Sequence, residues 1–163
     1  MSASFRIETL AGQDRSLFSC GVAELDEYLK TRASQDVRRR SAGCFLTIEN
    51  TSETIAGFYT LSACHVLLRD LDPAISKKLP RYPEIPAVRL GRLAVDRNYH
   101  GHKLGAGLLA DAVRRSLGLD IGANLMIVDA KDETAAAFYR HHGFVALHDK
   151  PLQLVASLLS LAK

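Results

Sequence analysis

The spacing of apolar residues in the first part of the chain predicts a strand, a helix and a β-hairpin. A short alternating stretch over 6–10 favours a first strand. Apolar residues then recur at helical spacing at Val22, Leu25, Leu29, Ala33 and Val37. Gly21, with Glu24 three residues later, is a plausible start for this helix. Two apolar runs, 44–49 and 55–63, flank a turn-rich segment, so they predict a hairpin with two central strands.

The middle of the chain predicts a short helix, a loop and a strand. Asp72 followed by Pro73 is a good helix start, because Asp caps the first amides and Pro suits the first helical position. The helix is expected over 74–79, and three further prolines convert the next residues into an extended loop. The run 87–96 predicts a strand.

The last part of the chain alternates helices and strands. A helical stripe is formed by Leu104, Leu108, Leu109, Ala112, Val113 and Leu117. The short apolar run 125–130 predicts a buried strand, after which Asp132 caps a helix that ends at Gly143. Residues 144–147 and 152–161 are expected to form closing strands. Strands that alternate with helices and include a hairpin predict a mixed α/β fold.

Composition favours a single soluble domain over residues 1–163. A chain of 163 residues, 47% of them hydrophobic and 24% charged, buries about two-thirds of its unfolded surface. Its apolar runs fall short of the roughly 20 residues that a membrane-spanning helix needs. The first six residues have no apolar secretory core, and three cysteines cannot all pair with one another. A cytoplasmic protein with free thiols and no membrane contact is therefore expected.

The basic residues lie in three dense clusters, although the net charge is only +3. They are Arg38, Arg39 and Arg40; Lys77 and Lys78 with Arg81; and Arg114 with Arg115. Phosphate contacts from such residues can position a nucleic acid without reading its sequence. Each cluster is equally well explained as a solvated surface, so charge alone does not establish nucleic-acid binding.

The most informative stretch is a strand, 92–96, that runs into the glycine-rich segment 99–107 and then a helix. Such a turn directs free backbone amides and the positive end of a helix dipole at one place, which suits a pyrophosphate. The spacing matches neither the phosphate loop of nucleotide triphosphatases nor the dinucleotide fingerprint. A turn of this kind is as often a tight connection without a ligand.

A second motif resolves this ambiguity: Ala135-Ala136-Ala137-Phe138-Tyr139-Arg140-His141-His142-Gly143-Phe144. Together with the glycine-rich turn, it resembles the Gcn5-related N-acetyltransferase (GNAT) family. The segments 18–29, 57–61 and 86–96 also resemble the branch of tRNA-acetylating toxins from bacterial toxin–antitoxin pairs. The family pattern of the loop has Arg or Gln first, where this chain has His100. Lys103 takes the first small position of that pattern and Gly105 the last.

The resemblance implies a GNAT fold, in which helices flank a mixed, mostly antiparallel sheet that is splayed at the acetyl-CoA site. It also implies residues that bind the coenzyme: Leu93, Ala94, Val95, His100, Gly101, His102, Lys103, Leu104, Gly105, Ala106 and Asp132. Backbone amides of Leu93 and Val95 would polarise the thioester oxygen. Tyr139 is the candidate general acid for the leaving thiolate, because a phenol is protonated at neutral pH.

The resemblance further implies an acetyl-CoA-dependent enzyme that acetylates the amino group of aminoacyl-tRNA and so blocks translation. It would form a homodimer and be neutralised by a ribbon-helix-helix antitoxin. The expected tRNA-binding residues are Arg38, Arg39, Arg40, Lys77, Lys78, Arg81 and Arg89. The alternatives are a GNAT enzyme acting on a protein N-terminus or small amine, and a non-catalytic acetyl-CoA-binding module. No metal site is predicted, because the histidine pairs lack the spacing of a structural zinc site.

Overall fold

A computed structural model describes residues 3–163 and contains seven strands and six α-helices in that range. The strands are β1 (Phe5–Thr9), β2 (Gly43–Glu49), β3 (Thr54–Leu67), β4 (Glu84–Val95), β5 (Leu125–Asp129), β6 (Val145–Leu147) and β7 (Lys150–Ser157). The helices are α1 (Ala23–Glu27), α2 (Ala33–Arg38), α3 (Pro73–Ser76), α4 (Leu104–Leu117), α5 (Glu133–His141) and α6 (Leu158–Leu161). The expectation about a secretory core rests partly on residues 1 and 2, which lie outside the described range.

The strands follow the order β1-β2-β3-β4-β5-β7-β6. The pairs β1–β2, β2–β3, β5–β7 and β6–β7 are antiparallel, whereas β4 and β5 are parallel. The parallel register runs from Ala87 opposite Leu125 to Leu90 opposite Val128, and β4 continues to Val95. A mixed, mostly antiparallel α/β fold is therefore confirmed, while the expected splay at the end of β4 stays a prediction.

Two compact units divide the chain, residues 1–62 with 92–111 and residues 63–91 with 112–163. The core of the first unit gathers fully buried side chains such as Leu29, Leu46 and Phe58. The core of the second unit is built around residues such as Ile85 and Leu125. The single domain expected over 1–163 stays a prediction.

The first helical segment contains an irregularity that its apolar spacing does not reveal. Between α1 and α2, residues Tyr28–Arg32 form a π-helical turn, so the backbone amide of Ala33 donates to the carbonyl of Tyr28. The Arg15 guanidinium donates to the Leu29 carbonyl at 2.9 Å. The expected start at Gly21 is wrong by one residue, because Val22 is the N-cap and Gly21 has a φ of +93°.

The remaining elements lie near their predicted positions, with differences at the C-terminus and in the short helix expected over 74–79, which ends at Ser76. β3 and β4 are longer than expected, and α3 begins at Pro73 with the Asp72 carboxylate accepting from the Ala74 amide at 2.8 Å. The predicted strand over 152–161 is wrong in its last four residues, which form α6. The Ser157 hydroxyl caps this helix by accepting from the Ser160 amide, so a local capping interaction ends the strand.

Gly57 on β3 lies in a space that a larger residue cannot enter. An added Cβ would lie 2.8 Å from the carbonyl oxygen of Ala94 and 3.1 Å from side-chain atoms of Leu108 and Thr47. The first of these contacts is with backbone, which cannot rotate away as a side chain can. Glycine is therefore required here for the close approach of two strands and a helix.

We expect Gly57→Ala to lower the free energy of unfolding by about 1–3 kcal/mol, the usual range for overpacking a buried site. Urea denaturation followed by circular dichroism measures the change. Gly12→Ala is the matched control, since in the described part of the chain no heavy atom beyond the adjacent residues lies within 4 Å of a Cβ at that position. Its stability should stay within about 0.5 kcal/mol of the wild type. Equal stability of the two variants would contradict the close approach at Gly57.

Candidate active site

The end of β4 is fixed by Asp96, a buried carboxylate. Its oxygens accept from the backbone amide of Ser19 at 3.0 Å and from that of Asn98 at 2.9 Å. Its own amide donates to the carbonyl of Ala56 at 2.8 Å. These bonds join the segment before α1, strand β3 and the turn that leaves β4. The bonds of Asp96 thus hold in place the end of the strand segment that contains the predicted acyl-site residues Leu93, Ala94 and Val95.

The loop after β4 has the backbone shape that a glycine-rich turn requires. A ring nitrogen of His100 lies 3.1 Å from the carbonyl oxygen of Val95, which holds the loop against the strand. Gly101 has a φ of +89° and Lys103 a φ of +59°. Lys103 therefore adopts the left-handed conformation at a position where the family pattern has a small residue, at a cost of roughly 1–2 kcal/mol. Whether the loop keeps the family's shape with this lysine stays a prediction.

The first turn of α4 has backbone amides without a partner inside the helix, as a pyrophosphate site requires. The first described bond within this helix runs from the Gly107 amide to the Lys103 carbonyl at 3.2 Å. The amides of Leu104, Gly105 and Ala106 therefore have no partner one turn earlier in the helix, and the helix dipole is positive here. Among residues 3–163, apart from its two neighbours in the chain, no heavy atom lies within 4 Å of a Cβ built at Gly101. This open space, the amides without an intrahelical partner and the exposed Lys103 ammonium together fit a diphosphate.

An aromatic cluster braces the other side of the loop. The rings of Tyr99 and His102 lie 5.7 Å and 6.1 Å from that of Phe5, and 6.1 Å from each other. Ring contacts of this kind, edge-on for Phe5 and tilted between Tyr99 and His102, stabilise a loop through both packing and ring electrostatics. His102 is thus held by β1 and by the turn at the end of β4, and its predicted coenzyme contact stays a prediction.

Tyr139 on α5 has the protonation state that a general acid needs. Its ring is buried, with centroids 5.2 Å from Phe138 and 5.5 Å from Phe144. Burial raises the pKa of Tyr139 to about 12, because desolvation disfavours the phenolate. The C-terminal end of α5 is closed by Gly143, whose φ is +99°. A neutral phenol is therefore fixed on a short, well-capped helix.

Two predicted binding residues in the second unit have structural partners. The Asp132 carboxylate accepts from the Ala135 amide at 2.9 Å, which confirms its prediction as the N-cap of α5. Arg89 forms an ion pair with Asp129, which also accepts from Gln153 at 2.9 Å. The roles of Asp132 in coenzyme binding and of Arg89 in tRNA binding stay predictions.

The other predicted tRNA-binding residues lie on the surface of their units. Arg38, Arg39 and Arg40 are exposed at the end of α2 in the first unit. Lys77, Lys78 and Arg81 are exposed just after α3 in the second unit. Arg81 donates to the carbonyl of Ser76 at 2.7 Å, which anchors its guanidinium. Each cluster is available to a polyanion.

Neither metal ligands nor a membrane helix appear in the described part of the chain. Within residues 3–163, no three side chains of the His, Cys, Asp or Glu type are placed to hold a metal ion. No helix in that range is long and apolar enough to cross a membrane. Cys44 is fully buried, and its burial raises the pKa of the thiol to about 12.

One residue of the β4 motif was given no role from the sequence, although its position carries a signal. Arg92 is two residues before Ala94, a core residue, so the two side chains project from the same face of the strand. Its guanidinium carbon lies 3.5 Å from the centre of the Tyr28 ring. A charged residue on the same face of a strand as a buried residue is the sequence signal that could have identified Arg92.

Comparisons with known proteins agree with this geometry. The acetyltransferase (GNAT) domain model matches residues 41–146. A tRNA-acetylating toxin of Mycobacterium tuberculosis (strain ATCC 25618 / H37Rv) is 34% identical over 144 residues, which cover 87% of this chain and 84% of the toxin.

Two solved structures of the AtaT toxin are also similar. AtaT complexed with acetyl-methionyl-tRNAfMet has a TM-score of 0.87 and 31% identity, covering 97% of both chains. A Tyr-to-Phe mutant of AtaT, bound to the C-terminus of the antitoxin AtaR and to acetyl-CoA, has a TM-score of 0.80 and 29% identity, covering 96% of this chain and 95% of AtaT. With a family model that spans most of its length and a relative above 30% identity, this chain belongs to the GNAT acetyltransferase family.

Proposed function

We propose that this protein is a toxin that transfers an acetyl group from acetyl-CoA to the amino group of aminoacyl-tRNA and thereby blocks translation. The observation that carries the proposal is the likeness, over 97% of the chain, to a toxin whose solved complex contains acetyl-methionyl-tRNAfMet. The relative from M. tuberculosis is named a tRNA-acetylating toxin, which is the same activity. An N-acetylated aminoacyl group has no free amine to attack a peptidyl ester, so translation stops.

The coenzyme site is assigned to the end of β4 and the loop that follows it. Acetyl-CoA supplies an activated acyl group as a thioester. The amides of Leu104, Gly105 and Ala106 would bind its pyrophosphate, and the Lys103 ammonium would add a charge-assisted contact. The backbone amides of Leu93 and Val95 would polarise the acyl oxygen.

The acid–base chemistry favours an α-amino group as the acceptor. A lysine amine has a pKa of about 10.4, whereas a free α-amino group has one of about 7.7–8.0. An α-amine is therefore partly neutral at physiological pH and needs little help from a base, whereas a lysine must first lose a proton. Tyr139 would donate its phenolic proton to the departing thiolate, since its raised pKa keeps the phenol protonated at neutral pH until the thiolate forms.

The partners follow from the same assignment. The AtaT structure is bound to the C-terminus of an antitoxin, and we propose that this chain is neutralised likewise, by a ribbon-helix-helix protein. Its substrate is cytoplasmic, so we place the protein there. A homodimer is proposed from the family resemblance, and sedimentation of the purified protein tests it.

Labelled acetyl transfer is the experiment that tests this function. Purified protein is incubated with labelled acetyl-CoA and, in separate reactions, bulk aminoacyl-tRNA, deacylated tRNA, a peptide with a free N-terminus, or a small amine. Transfer to aminoacyl-tRNA alone is the expected result. Transfer only to the peptide or amine would replace the proposed substrate. Tight binding of acetyl-CoA without transfer to any acceptor would indicate that the protein is a non-catalytic acetyl-CoA-binding module.

We expect the triple substitution of Arg38, Arg39 and Arg40 by alanine to weaken tRNA binding and flatten its salt dependence. Each phosphate contact that is lost lowers the slope of log affinity against log salt by about 0.7–0.9. Filter binding at four salt concentrations measures the slope, and calorimetry should give an unchanged affinity for acetyl-CoA. A wild-type slope in the triple variant would make this cluster an ordinary solvated surface.

A further inference from the structure

Arg92 combines a fixed orientation with a charge that forms no ion pair among the described residues; the carboxylate on the same platform, Asp36, is bonded to the Tyr28 hydroxyl. Its guanidinium carbon lies 3.5 Å from the centroid of the Tyr28 ring, a close cation–π contact. The side chain is half-buried on β4, immediately before the predicted acyl-site residues 93–95. The contact therefore fixes a cation next to the predicted reaction centre.

Tyr28 is itself held rigidly, so it can act as a platform. Only 4% of its surface is exposed, and its ring stacks on that of Phe58 at a centroid distance of 6.3 Å. Its hydroxyl donates to the Asp36 carboxylate at 2.8 Å. The ring is thus fixed on both its edge and its face, and the π-helical turn Tyr28–Arg32 sets the position from which it projects.

The guanidinium has hydrogen-bonding capacity to spare. Within residues 3–163, no carboxylate lies within 4.0 Å of the Arg92 nitrogens, whereas Arg6 and Arg89 form ion pairs with Glu53 and Asp129. An arginine carries five N–H donors in a planar fork that matches a phosphate. A half-buried cation without a counter-ion is costly, and an anionic ligand would remove that cost.

We propose that Arg92 binds a phosphate in the 3′-terminal nucleotides of the RNA substrate and that Tyr28 is the positioning residue for its guanidinium. The assignment rests on the proposed function. In an aminoacyl-tRNA, the ester itself carries no negative charge, so the anion nearest the reacting amine is the phosphodiester before the terminal adenosine. A cation beside the acyl site would hold that phosphate and orient the amine.

The first arm of the test changes the cation. In Arg92→Met the KM for aminoacyl-tRNA should rise about tenfold or more, as for loss of a hydrogen bond to a charged group. The slope of log affinity for aminoacyl-tRNA against log salt concentration should become shallower by about 0.7–0.9 in this variant. In Arg92→Lys the salt slope of tRNA binding should be unchanged, because the positive charge is kept. The KM for aminoacyl-tRNA should still rise, because an ammonium lacks the planar fork of a guanidinium. Arg6→Met is the matched control, since it removes the same charge from an exposed ion pair.

The second arm changes the platform. Tyr28→Phe keeps the ring and loses only the bond to Asp36, so its KM for aminoacyl-tRNA should stay within about threefold of the wild type. Tyr28→Leu removes the ring and should raise KM while the salt slope is retained. Combined with Arg92→Met, Tyr28→Leu should add no further increase, because the two residues act through one contact. Thermal melting is recorded for every variant.

Three results overturn the assignment. One is a folded Arg92→Met protein with wild-type KM and salt slope for aminoacyl-tRNA. Another is a weakened affinity for acetyl-CoA with an unchanged KM for tRNA, which would assign the phosphate contact to the coenzyme. The third is an equal rise of the KM for aminoacyl-tRNA in Arg6→Met, which would show that the rise in Arg92→Met comes from the lost net charge and not from a specific phosphate contact. If the wild-type protein does not acetylate charged tRNA, the proposed function fails first, and this assignment fails with it.

Discussion

Tyr139→Phe is expected to slow acetylation of charged tRNA by about 10²–10⁴-fold, the usual contribution of general acid–base catalysis. The substitution keeps the ring that packs against Phe138 and Phe144 and removes only the hydroxyl. Because burial raises the pKa of Tyr139 to about 12, the wild-type group holds its proton throughout the neutral range. The phenylalanine variant therefore lacks the proposed proton donor while the core contacts remain.

Single-turnover acetylation at matched pH measures this effect without interference from product release. Coenzyme affinity and melting temperature should stay near the wild-type values, since the coenzyme contacts are assigned to β4 and its loop. Growth arrest on induced expression should disappear. A rate within about threefold of the wild type would reassign Tyr139 to packing and leave solvent as the proton source.

Gly105→Asp should abolish acetyl-CoA binding in a protein that still folds. Two unit charges of the same sign, about 4 Å apart near a protein surface, repel by about 4 kcal/mol, so the affinity should fall at least about a hundredfold. The fold should tolerate the change, because an acidic residue in the first turn of a helix interacts favourably with the dipole. Isothermal calorimetry and thermal melting measure the two effects separately.

Gly105→Asn separates charge from shape at the same position. The two substituted side chains have nearly the same size, so any affinity that asparagine retains and aspartate loses is electrostatic. We expect the asparagine variant to bind acetyl-CoA more weakly than the wild type and more tightly than the aspartate variant. An unchanged affinity in folded Gly105→Asp protein would show that the loop assignment is wrong.

Local physical chemistry determined most of the elements. The apolar stripe from Leu104 to Leu117 matches the bounds of α4, and the caps at Asp72 and Asp132 both form. These features depend on neighbours within a few residues in sequence, so the sequence contains all that is needed to predict them. The segment 158–161 was the exception, since the Ser157 cap outweighed the apolar pattern that favoured a strand.

The sequence also supplied the predicted site residues, because the glycine-rich turn and the Tyr139 motif are read directly from the residues, and their roles stay predictions. It could not give the backbone of Lys103, whose φ of +59° shows that the loop imposes the left-handed conformation on a residue that disfavours it. The same limit applies to Gly57, where the constraint comes from a backbone atom 37 positions away in the sequence, the Ala94 carbonyl.

By itself, then, the sequence determined the order of the elements, the family and the candidate residues for coenzyme and proton transfer. Only the tertiary structure decided which side chains are rigid and which charges lack a partner. Arg92 lies far in sequence from Tyr28, and Tyr28 from Phe58, yet the packing of β3, β4 and the first helical segment stacks them on one another. Such contacts depend on how the elements pack and not on local propensity, because side-chain neighbours across a core are set by the whole fold.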